Sequence, residues 1–309
     1  MFKKMSISIV ITTKNKAEYL DMTLYCLILQ TYRNFEVIIV DDGSLDRTED
    51  VVEKWSKLLL NPIKYIKNIT SMGAGSARNI ALKEVNSDYV LFLDDDRLLD
   101  VNGVGEHVRA NSDHPNSFIC GNRWELYSGM TKSSRDFLYK IIDERQLIRY
   151  RKHIEPMPRV MSKAFEELGQ EWPLKWFLIL TGNLSVPMSI LDKLNGFDGS
   201  LERLEDLEMG YRAYDLGCDI RFTVSIESYH LAHPRDHYNV IMTKVYRKLK
   251  SKHSGSHMQF LEPFLTGEIC LHEYEQLVNP YSVNNLKCDC KNDGESARVL
   301  YFINNNSRK

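Results

Sequence analysis

The chain has 309 residues and a net charge of −2, so it can bury a full core but lacks the bulk positive charge of many nucleic-acid-binding proteins. Hydrophobic residues at 43% and charged residues at 27% are typical of a soluble enzyme, and no apolar run is long enough to span a membrane. With six scattered cysteines and no signal-peptide core, we expect a cytoplasmic protein, free or peripheral on the inner face of the membrane.

The first hundred residues alternate strand and helix patterns. Strands are predicted at 6–12, 35–40, 63–66 and 89–93. Asn15 is the predicted cap of the first helix, Asp46 caps the second, whose buried face includes Leu58, and a third runs from Gly73 to about Val85. Strands and helices in this alternation predict right-handed crossovers and a mostly parallel, twisted α/β sheet.

The second half is less regular. Residues 127–180 carry charge-rich helical stretches and prolines, and we expect them to shape an acceptor pocket. Further strands are predicted at 117–121, 181–186 and 219–224, with helices at 187–194, 205–217 and 237–252. We expect one domain over 1–235, with a nucleotide-binding half (1–125) and an acceptor-binding half (126–235), followed by a helical extension and polar tail over 236–309.

An apolar run, Val90–Leu93, ends abruptly in the carboxylates of Asp94, Asp95 and Asp96. A buried parallel strand brings such residues to the carboxyl edge of a sheet, where open α/β folds bind ligands. Adjacent carboxylates need compensating charge, and a set without thiols or imidazoles suits Mg²⁺ or Mn²⁺. A solvated acidic turn explains the same pattern, and these residues alone do not decide between the two.

Four polar clusters follow successive predicted strands and should therefore meet at one edge. They are Thr12-Thr13, Asp41-Asp42, the loop from Gly73 to Arg78, and Asp94 to Asp96. Carboxylates, backbone amides, an arginine and a metal are what a nucleotide requires. A dinucleotide fold is not supported, since Arg78 stands where the third glycine of GxGxxG would be, and no GxxxxGK[ST] exists.

Seven motifs in order resemble family 2 glycosyltransferases with the GT-A fold, over roughly residues 6–225. They are SIVITTKN, VIIVDDGSLDRT, GAGSARNIAL, YVLFLDDD, TGNLSVP, NGFD and EDLEMGYRAYDLG. The resemblance implies inverting transfer of a sugar from a nucleotide sugar, usually a UDP-sugar, with Mn²⁺ or Mg²⁺ at the DxD motif. The QxxRW motif of processive synthases is absent, which favours addition of a single sugar. The acceptor stays open among a glycan, a lipid-linked saccharide, a peptide and a small molecule.

The same resemblance implies roles for single residues. Thr12 and Asp41 would contact the uracil, Arg78 the base or diphosphate, and Asp94 the ribose or uridine side. Thr13, Asp42, Gly73 and Asp95 belong to the same expected nucleotide-sugar site. Asp96 would bind the metal, and Asp206, beside Glu205 in the second acidic pair, would be the general base. The chain departs from many relatives before this pair, where residues 201–204 replace a glycine-rich segment.

Three further features remain open at this stage. His233, or else His230, is a candidate to complete the metal shell, although a lone histidine is more often structural. Arg235 is an alternative diphosphate ligand. The basic stretch 240–252 would suit contact with anionic lipid, but a solvated helix face with lysine stems over the core is the favoured interpretation.

Three other classes of protein share some of these sequence features. VIIVDD resembles the acidic pocket of a response-regulator receiver, but receivers place that pair after the first strand. A sugar nucleotidyltransferase would need a glycine-rich loop after the first strand, where Thr12-Thr13 has none. A catalytically silent nucleotide-sugar-binding protein is the third alternative, and the intact acidic residues argue against it.

Overall fold

One eight-stranded sheet runs through the computed structural model, which describes residues 5–126, 129–151, 164–233 and 238–279. In chain order the strands are β1 Ile7–Thr13, β2 Phe35–Asp41, β3 Ile63–Lys67, β4 Tyr89–Leu93, β5 Arg97–Leu99, β6 Ser117–Leu126, β7 Asn183–Pro187 and β8 Asp219–Leu231. Their order across the sheet is β3-β2-β1-β4-β7-β6-β8-β5. Side chains along β1 alternate between two hydrophobic clusters, so both faces of the sheet are covered.

The predicted parallel half is confirmed. β3, β2, β1 and β4 pair side by side in parallel, and Thr13 at the end of β1 lies opposite Asp41 at the end of β2. All five residues of β4 are buried, as the apolar run before the carboxylates requires. The polar clusters that follow β1, β2 and β4 therefore lie at one edge of the sheet.

The other half of the sheet is mixed, and the sheet as a whole is mostly parallel, as expected. β7 pairs antiparallel with both β4 and β6, while β6 and β8 pair in parallel. The three-residue strand β5 was not predicted, and it pairs antiparallel with the far end of β8. The predicted 219–224 strand is thus much longer, and its extension to Leu231 brings the histidine region back beside Asp96.

The helices are α1 Ala17–Ile28, α2 Thr48–Leu58, α3 Ala74–Leu82, α4 Gly103–Asp113, α5 Lys132–Asp143, α6 Leu147–Tyr150, α7 Met188–Leu194, α8 Glu205–Asp215, α9 Tyr238–Lys252, α10 Ser256–Gln259, α11 Leu261–Thr266 and α12 Leu271–Val278. Residues 164–168 are also helical. The helix α4 was not predicted, and α3 ends at Leu82, short of the expected Val85. None of the helices in the described segments is both long enough and apolar enough to cross a membrane.

The prediction that Asn15 caps α1 is wrong. Asn15 has a left-handed backbone with a φ of 53°, and its side-chain oxygen accepts a hydrogen bond from the Leu45 amide. The carboxylate of Asp46 instead accepts from the amides of Ala17 and Thr48, at 2.9 and 3.1 Å. One carboxylate therefore serves the first turns of both α1 and α2, where the helix dipole favours negative charge.

The buried face predicted for α2 needs one correction. Val52, Trp55 and Leu59 are buried, but Leu58 is 51% exposed. Leu58 and Trp55 are three residues apart, yet α2 ends at Leu58 and the extended backbone of Leu59 turns that residue inward in its place. The helical period no longer applies beyond the last turn.

The helices after α8 pack onto the same core as the sheet. Val245, Leu249, Met258 and Tyr274 share one continuous cluster with residues of β4 and β7. The basic stretch is helical from Tyr238, and the proposed domain boundary near residue 235 lies outside the described residues. Within α9, Lys248 contacts the Ser200 carbonyl, Lys250 pairs with Glu262 and Lys252 pairs with Asp198. These three lysines bind protein groups, which favours the interpretation of a solvated helix face over a lipid-binding one.

Candidate active site

Asp41, the last residue of β2, and Asp42, which follows it, hold the two loops that border this edge of the sheet. Asp41 is fully buried and accepts from the Ser44 amide at 2.7 Å and from the Tyr65 hydroxyl at 2.6 Å. Its carboxylate therefore fixes the turn that follows β2. The predicted contact of Asp41 with uracil stays a prediction.

Asp42 organises the loop over residues 68–73 with four hydrogen bonds. Its carboxylate accepts from the side chains of Asn68 and Ser71 and from the amides of Met72 and Gly73, at 2.6 to 2.9 Å. Burial alone would raise the pKa of Asp42, but these donors lower it. Asp42 is thus an ionised anchor for the loop.

Gly73 ends that loop and begins α3 with a φ of 87°. A side chain is strained in this backbone conformation, and a Cβ atom here would meet nothing within 4 Å. Glycine is therefore required by the turn, which leaves open space beside the first amides of α3. Thr13 is buried and Thr12 half-buried at the end of β1, on the same edge.

Arg78, on α3, joins the two acidic motifs. Its guanidinium donates to Glu205 at 2.6 Å and to Asp94 at 3.2 Å. Gly75, one turn earlier, permits this approach, since a Cβ atom there would lie 3.3 Å from the side chain of Glu205. Burial would lower the pKa of Arg78, but the carboxylates of Glu205 and Asp94 raise it, so the buried guanidinium stays charged.

Asp206 differs from its neighbour Glu205 in what it contacts. Glu205 is buried and paired with Arg78, whereas Asp206 is half-buried and accepts from two amides, those of Leu207 at 2.8 Å and Thr181 at 3.3 Å. Burial and the charge of Glu205 raise the pKa of Asp206 to about 6. Leu204, just before the pair, has a left-handed backbone with a φ of 59°, so the chain changes direction abruptly where α8 begins.

Asp96 meets both candidate histidines. Its carboxylate oxygen Oδ2 lies 3.0 Å from His233 Nε2 and 3.6 Å from His230 Nε2, and one ligand atom from each residue lies within 4.8 Å of the others. The sequence offered His233 or His230 as alternatives, and the structure brings the two together. His230 arrives through the antiparallel pairing of β5 with β8, which places it opposite Arg97.

The donor set fits a divalent cation. One carboxylate and two imidazoles suit Mn²⁺ and related ions better than Mg²⁺. Nδ1 of His230 lies 3.0 Å from Glu125, an arrangement that directs Nε2 of the same ring toward Asp96. Glu125 was not expected from the sequence, because it follows the strand predicted to end at Gly121.

Lys16 is the second residue that the sequence did not predict. Its ammonium lies 2.6 Å from Asp96 Oδ2, 2.9 Å from His233 Nε2 and 3.3 Å from Asp95 Oδ1. Burial raises the pKa of Asp95 to about 6, and although burial acts on Asp96 in the same sense, Lys16 and the two imidazoles lower the pKa of Asp96. Lys16 and the two imidazoles therefore keep Asp96 ionised, the form in which a carboxylate binds a cation.

Arg97 and Arg123 lie beside Gly182, next to Asp94. A Cβ atom at Gly182 would lie 2.8 Å from Arg97 Nε, 2.8 Å from Asp94 Oδ2 and 3.2 Å from Arg123. Only glycine leaves room for these groups at once. The predicted site residues Arg78, Asp94, Glu205 and Asp206 thus lie in one charged cluster together with Arg97 and Arg123. The alternative diphosphate ligand, Arg235, lies outside the described residues.

The Glycosyl transferase family 2 model matches residues 8–165 of this chain. The chain is similar to the uncharacterized glycosyltransferase YfnE of Bacillus subtilis, with 26% identity over 74% of this chain and 66% of YfnE. It is 30% identical to validoxylamine A glucosyltransferase of Streptomyces hygroscopicus subsp. jinggangensis, over 74% of this chain and 56% of that protein. The chain thus spans less than two thirds of the length of these curated relatives.

Solved structures share the fold. S. aureus TarS 1-349 in complex with UDP-GlcNAc superimposes with a TM-score of 0.60 and 19% identity, covering 96% of this chain and 80% of TarS 1-349. The mannosyltransferase PcManGT from Pyrobaculum calidifontis, in complex with GDP-Man and Mn²⁺, gives a TM-score of 0.56 and 16% identity, covering 79% and 64%. These likenesses confirm the predicted α/β architecture of the GT-A type.

Proposed function

Since the chain belongs to glycosyl transferase family 2, we propose that it transfers one sugar from a UDP-sugar to an acceptor hydroxyl, with inversion at the anomeric carbon. The observation that supports this mechanism is that Glu205 and Asp206, the second acidic pair, have different partners. Arg78 engages the Glu205 carboxylate, and Asp206 keeps partial exposure and accepts hydrogen bonds only from backbone amides among the residues that the structure describes. Asp206 is therefore the carboxylate available to a substrate hydroxyl.

In the proposed reaction Asp206 removes the proton from the acceptor hydroxyl. The acceptor oxygen then forms its bond to the anomeric carbon while the bond from that carbon to the diphosphate oxygen breaks, and UDP leaves with the electron pair. The two groups act from opposite faces of the sugar, which inverts the centre. Glu205 acts on Asp206 through its charge, which favours proton uptake by the neighbouring carboxylate.

A divalent ion held by Asp96, His230 and His233 would supply positive charge for the departing diphosphate. Arg78 contributes a fixed positive charge between Asp94 and Glu205, and Asp42 and Gly73 shape the loop beside the start of α3. The TarS complex with UDP-GlcNAc supports a nucleotide-sugar donor, and the PcManGT complex with Mn²⁺ supports a metal. Glycans, lipid-linked saccharides, peptides and small molecules all offer the hydroxyl that the proposal requires.

The proposal is tested by UDP release from a panel of UDP-sugars, without acceptor, with Mn²⁺ or with EDTA. We expect slow hydrolysis of one donor that EDTA suppresses. If no UDP-sugar is hydrolysed and calorimetry detects no binding of UDP, the proposed donor class is wrong.

Asp96→Asn should abolish the metal dependence of UDP binding. The substitution removes the one charged oxygen in the ligand set, so Mn²⁺ should no longer raise UDP affinity, where we expect about a tenfold or larger increase in the wild type. Calorimetric titration of UDP with and without Mn²⁺ measures this ratio. Asp113→Asn is the matched control, since it makes the same change at a surface carboxylate that pairs with Arg109 and lies outside the ligand set, and it should keep the wild-type ratio. An unchanged ratio in Asp96→Asn would refute the ligand assignment.

Activity should fall as the pH is lowered through about 6. Asp206 accepts a proton only when it is ionised, and burial raises its pKa to about 6, so kcat/KM should decrease about tenfold per pH unit below that value. Initial rates from pH 5 to 8 at saturating Mn²⁺ test this, because saturation removes the loss of metal that histidine protonation would cause. A profile that stays flat down to pH 5 would contradict the base assignment.

A further inference from the structure

Lys16 lies among the atoms that a divalent ion would use as ligands. Its ammonium is 2.6 Å from Asp96 Oδ2 and 2.9 Å from His233 Nε2. It is also 3.3 Å from Asp95 Oδ1, so one ammonium lies beside two adjacent carboxylates. The lysine thus provides, from within the chain, the positive charge that adjacent carboxylates need.

The local backbone directs Lys16 into this position. Asn15, which follows β1 and has a left-handed φ of 53°, is held to the loop after β2 by its contacts with Ser44 and Leu45. Two residues later, Ala17 begins α1, and its amide donates a hydrogen bond to Asp46. Lys16 lies between these two anchors, and its side chain is 27% exposed. The long side chain consequently has a path to solvent if the ammonium is displaced.

We propose that Lys16 and a divalent ion occupy the cluster of Asp96, His230 and His233 in a mutually exclusive manner. The inference rests on the metal site of the proposed function. An ammonium hydrogen bonded to Asp96 Oδ2 and His233 Nε2 uses the lone pairs that a metal requires, and two cations at one carboxylate repel each other. Lys16 is the tethered counter-ion of the metal-free protein, and metal binding displaces it.

The test compares Mn²⁺ binding to the wild type and to Lys16→Met by the electron paramagnetic resonance signal of free Mn²⁺, without nucleotide. We expect Lys16→Met to bind Mn²⁺ about tenfold more tightly or better, because the wild type must first break a buried ion pair. Lys14→Met is the matched control. Lys14 is exposed on the same loop, so this variant removes the same charge without touching Asp96 and should bind Mn²⁺ as the wild type does.

Thermal unfolding gives a second readout. Without metal, Lys16→Met should have a lower Tm than the wild type, because Asp95 and Asp96 then lose the ammonium that lies beside both carboxylates. Mn²⁺ should restore that Tm and raise it more than it raises the Tm of the wild type. Lys16→Arg, which keeps the charge, provides the same comparison if Lys16→Met does not fold, and it should retain the weak Mn²⁺ binding of the wild type.

Two results would overturn the inference. Equal or weaker Mn²⁺ binding by Lys16→Met would mean that Lys16 orders the ligands and does not compete with the ion. Absence of Mn²⁺ binding in every variant would mean that the cluster is not a metal site, and hydrolysis of a UDP-sugar by the same preparations would show that the proposed transferase function stands without it. Tighter binding by Lys16→Met without any UDP-sugar binding would leave the inference intact and refute the proposed donor.

Discussion

Asp206→Asn should lower sugar transfer by about 10²- to 10⁴-fold and leave UDP affinity nearly unchanged. The amide is close to the carboxylate in size and can keep the hydrogen bond from Leu207, but it cannot accept a proton from the acceptor. The loss should appear in kcat and in kcat/KM alike, because the interaction is made only in the transition state. Transfer rates and calorimetric titration of UDP, on the same preparation, measure the two quantities.

Asp215→Asn is the matched control for this variant. Asp215 is an exposed carboxylate at the other end of the same helix, so its removal changes the charge of α8 equally without reaching the site. We expect wild-type transfer from Asp215→Asn. Full activity in Asp206→Asn would refute the base assignment, and loss of UDP binding in that variant would place Asp206 at the donor.

The polar edge of the sheet could be predicted from the sequence, because each polar cluster directly follows the apolar run of its own strand. Thr13, Asp41 and Asp94 each stand at or next to the end of an apolar run, and parallel strands bring such ends to one edge. The proximity of these three residues therefore follows from the strand pattern of the sequence alone. The loop contacts of Asp42 do not, because they depend on where the chain after β3 returns.

The cluster of Asp96, His230 and His233 depends on long-range strand pairing that the sequence does not display. β5 has three residues and no recognisable period, yet its antiparallel pairing sets Arg97 opposite His230. The parallel pairing of β6 with β8 sets Glu125 opposite His230 in turn. Glu125 reads as an ordinary polar residue in the sequence, and only the register shows that it faces an imidazole.

Lys16 escaped prediction for a different reason. Asn15 has a left-handed backbone, so α1 begins one residue later than a cap at Asn15 would place it, and Lys16 itself becomes the cap residue beside the carboxylates. Lys14 and Lys16, in one polar loop, have the pattern of two solvent-exposed lysines. The charges of Asp95 and Asp96 call for a cation nearby, but the sequence does not show which lysine lies close to them.

Arg78→Met should destabilise the folded protein by about 3–5 kcal/mol. The guanidinium is buried and lies between Glu205 and Asp94, so its removal leaves two carboxylates close together in a site with little solvent. The loss reflects uncompensated charge more than the value of the ion pairs themselves. Urea unfolding gives the free energy of unfolding directly, and the slope of its dependence on denaturant should stay unchanged if both states keep their surface areas.

Arg109→Met is the matched control, because Arg109 also pairs with two carboxylates, those of Glu106 and Asp113, but on the surface. Exposed pairs of this kind contribute about 0–1 kcal/mol, so burial is the variable that separates the two arginines. Adding Glu205→Gln to Arg78→Met should recover part of the lost stability, since it removes one of the two unpaired charges. If Arg78→Met costs less than about 1 kcal/mol, like the surface control, then solvent or a counter-ion reaches Glu205 and Asp94, and Arg78 does not act as the fixed charge that the proposed mechanism gives it.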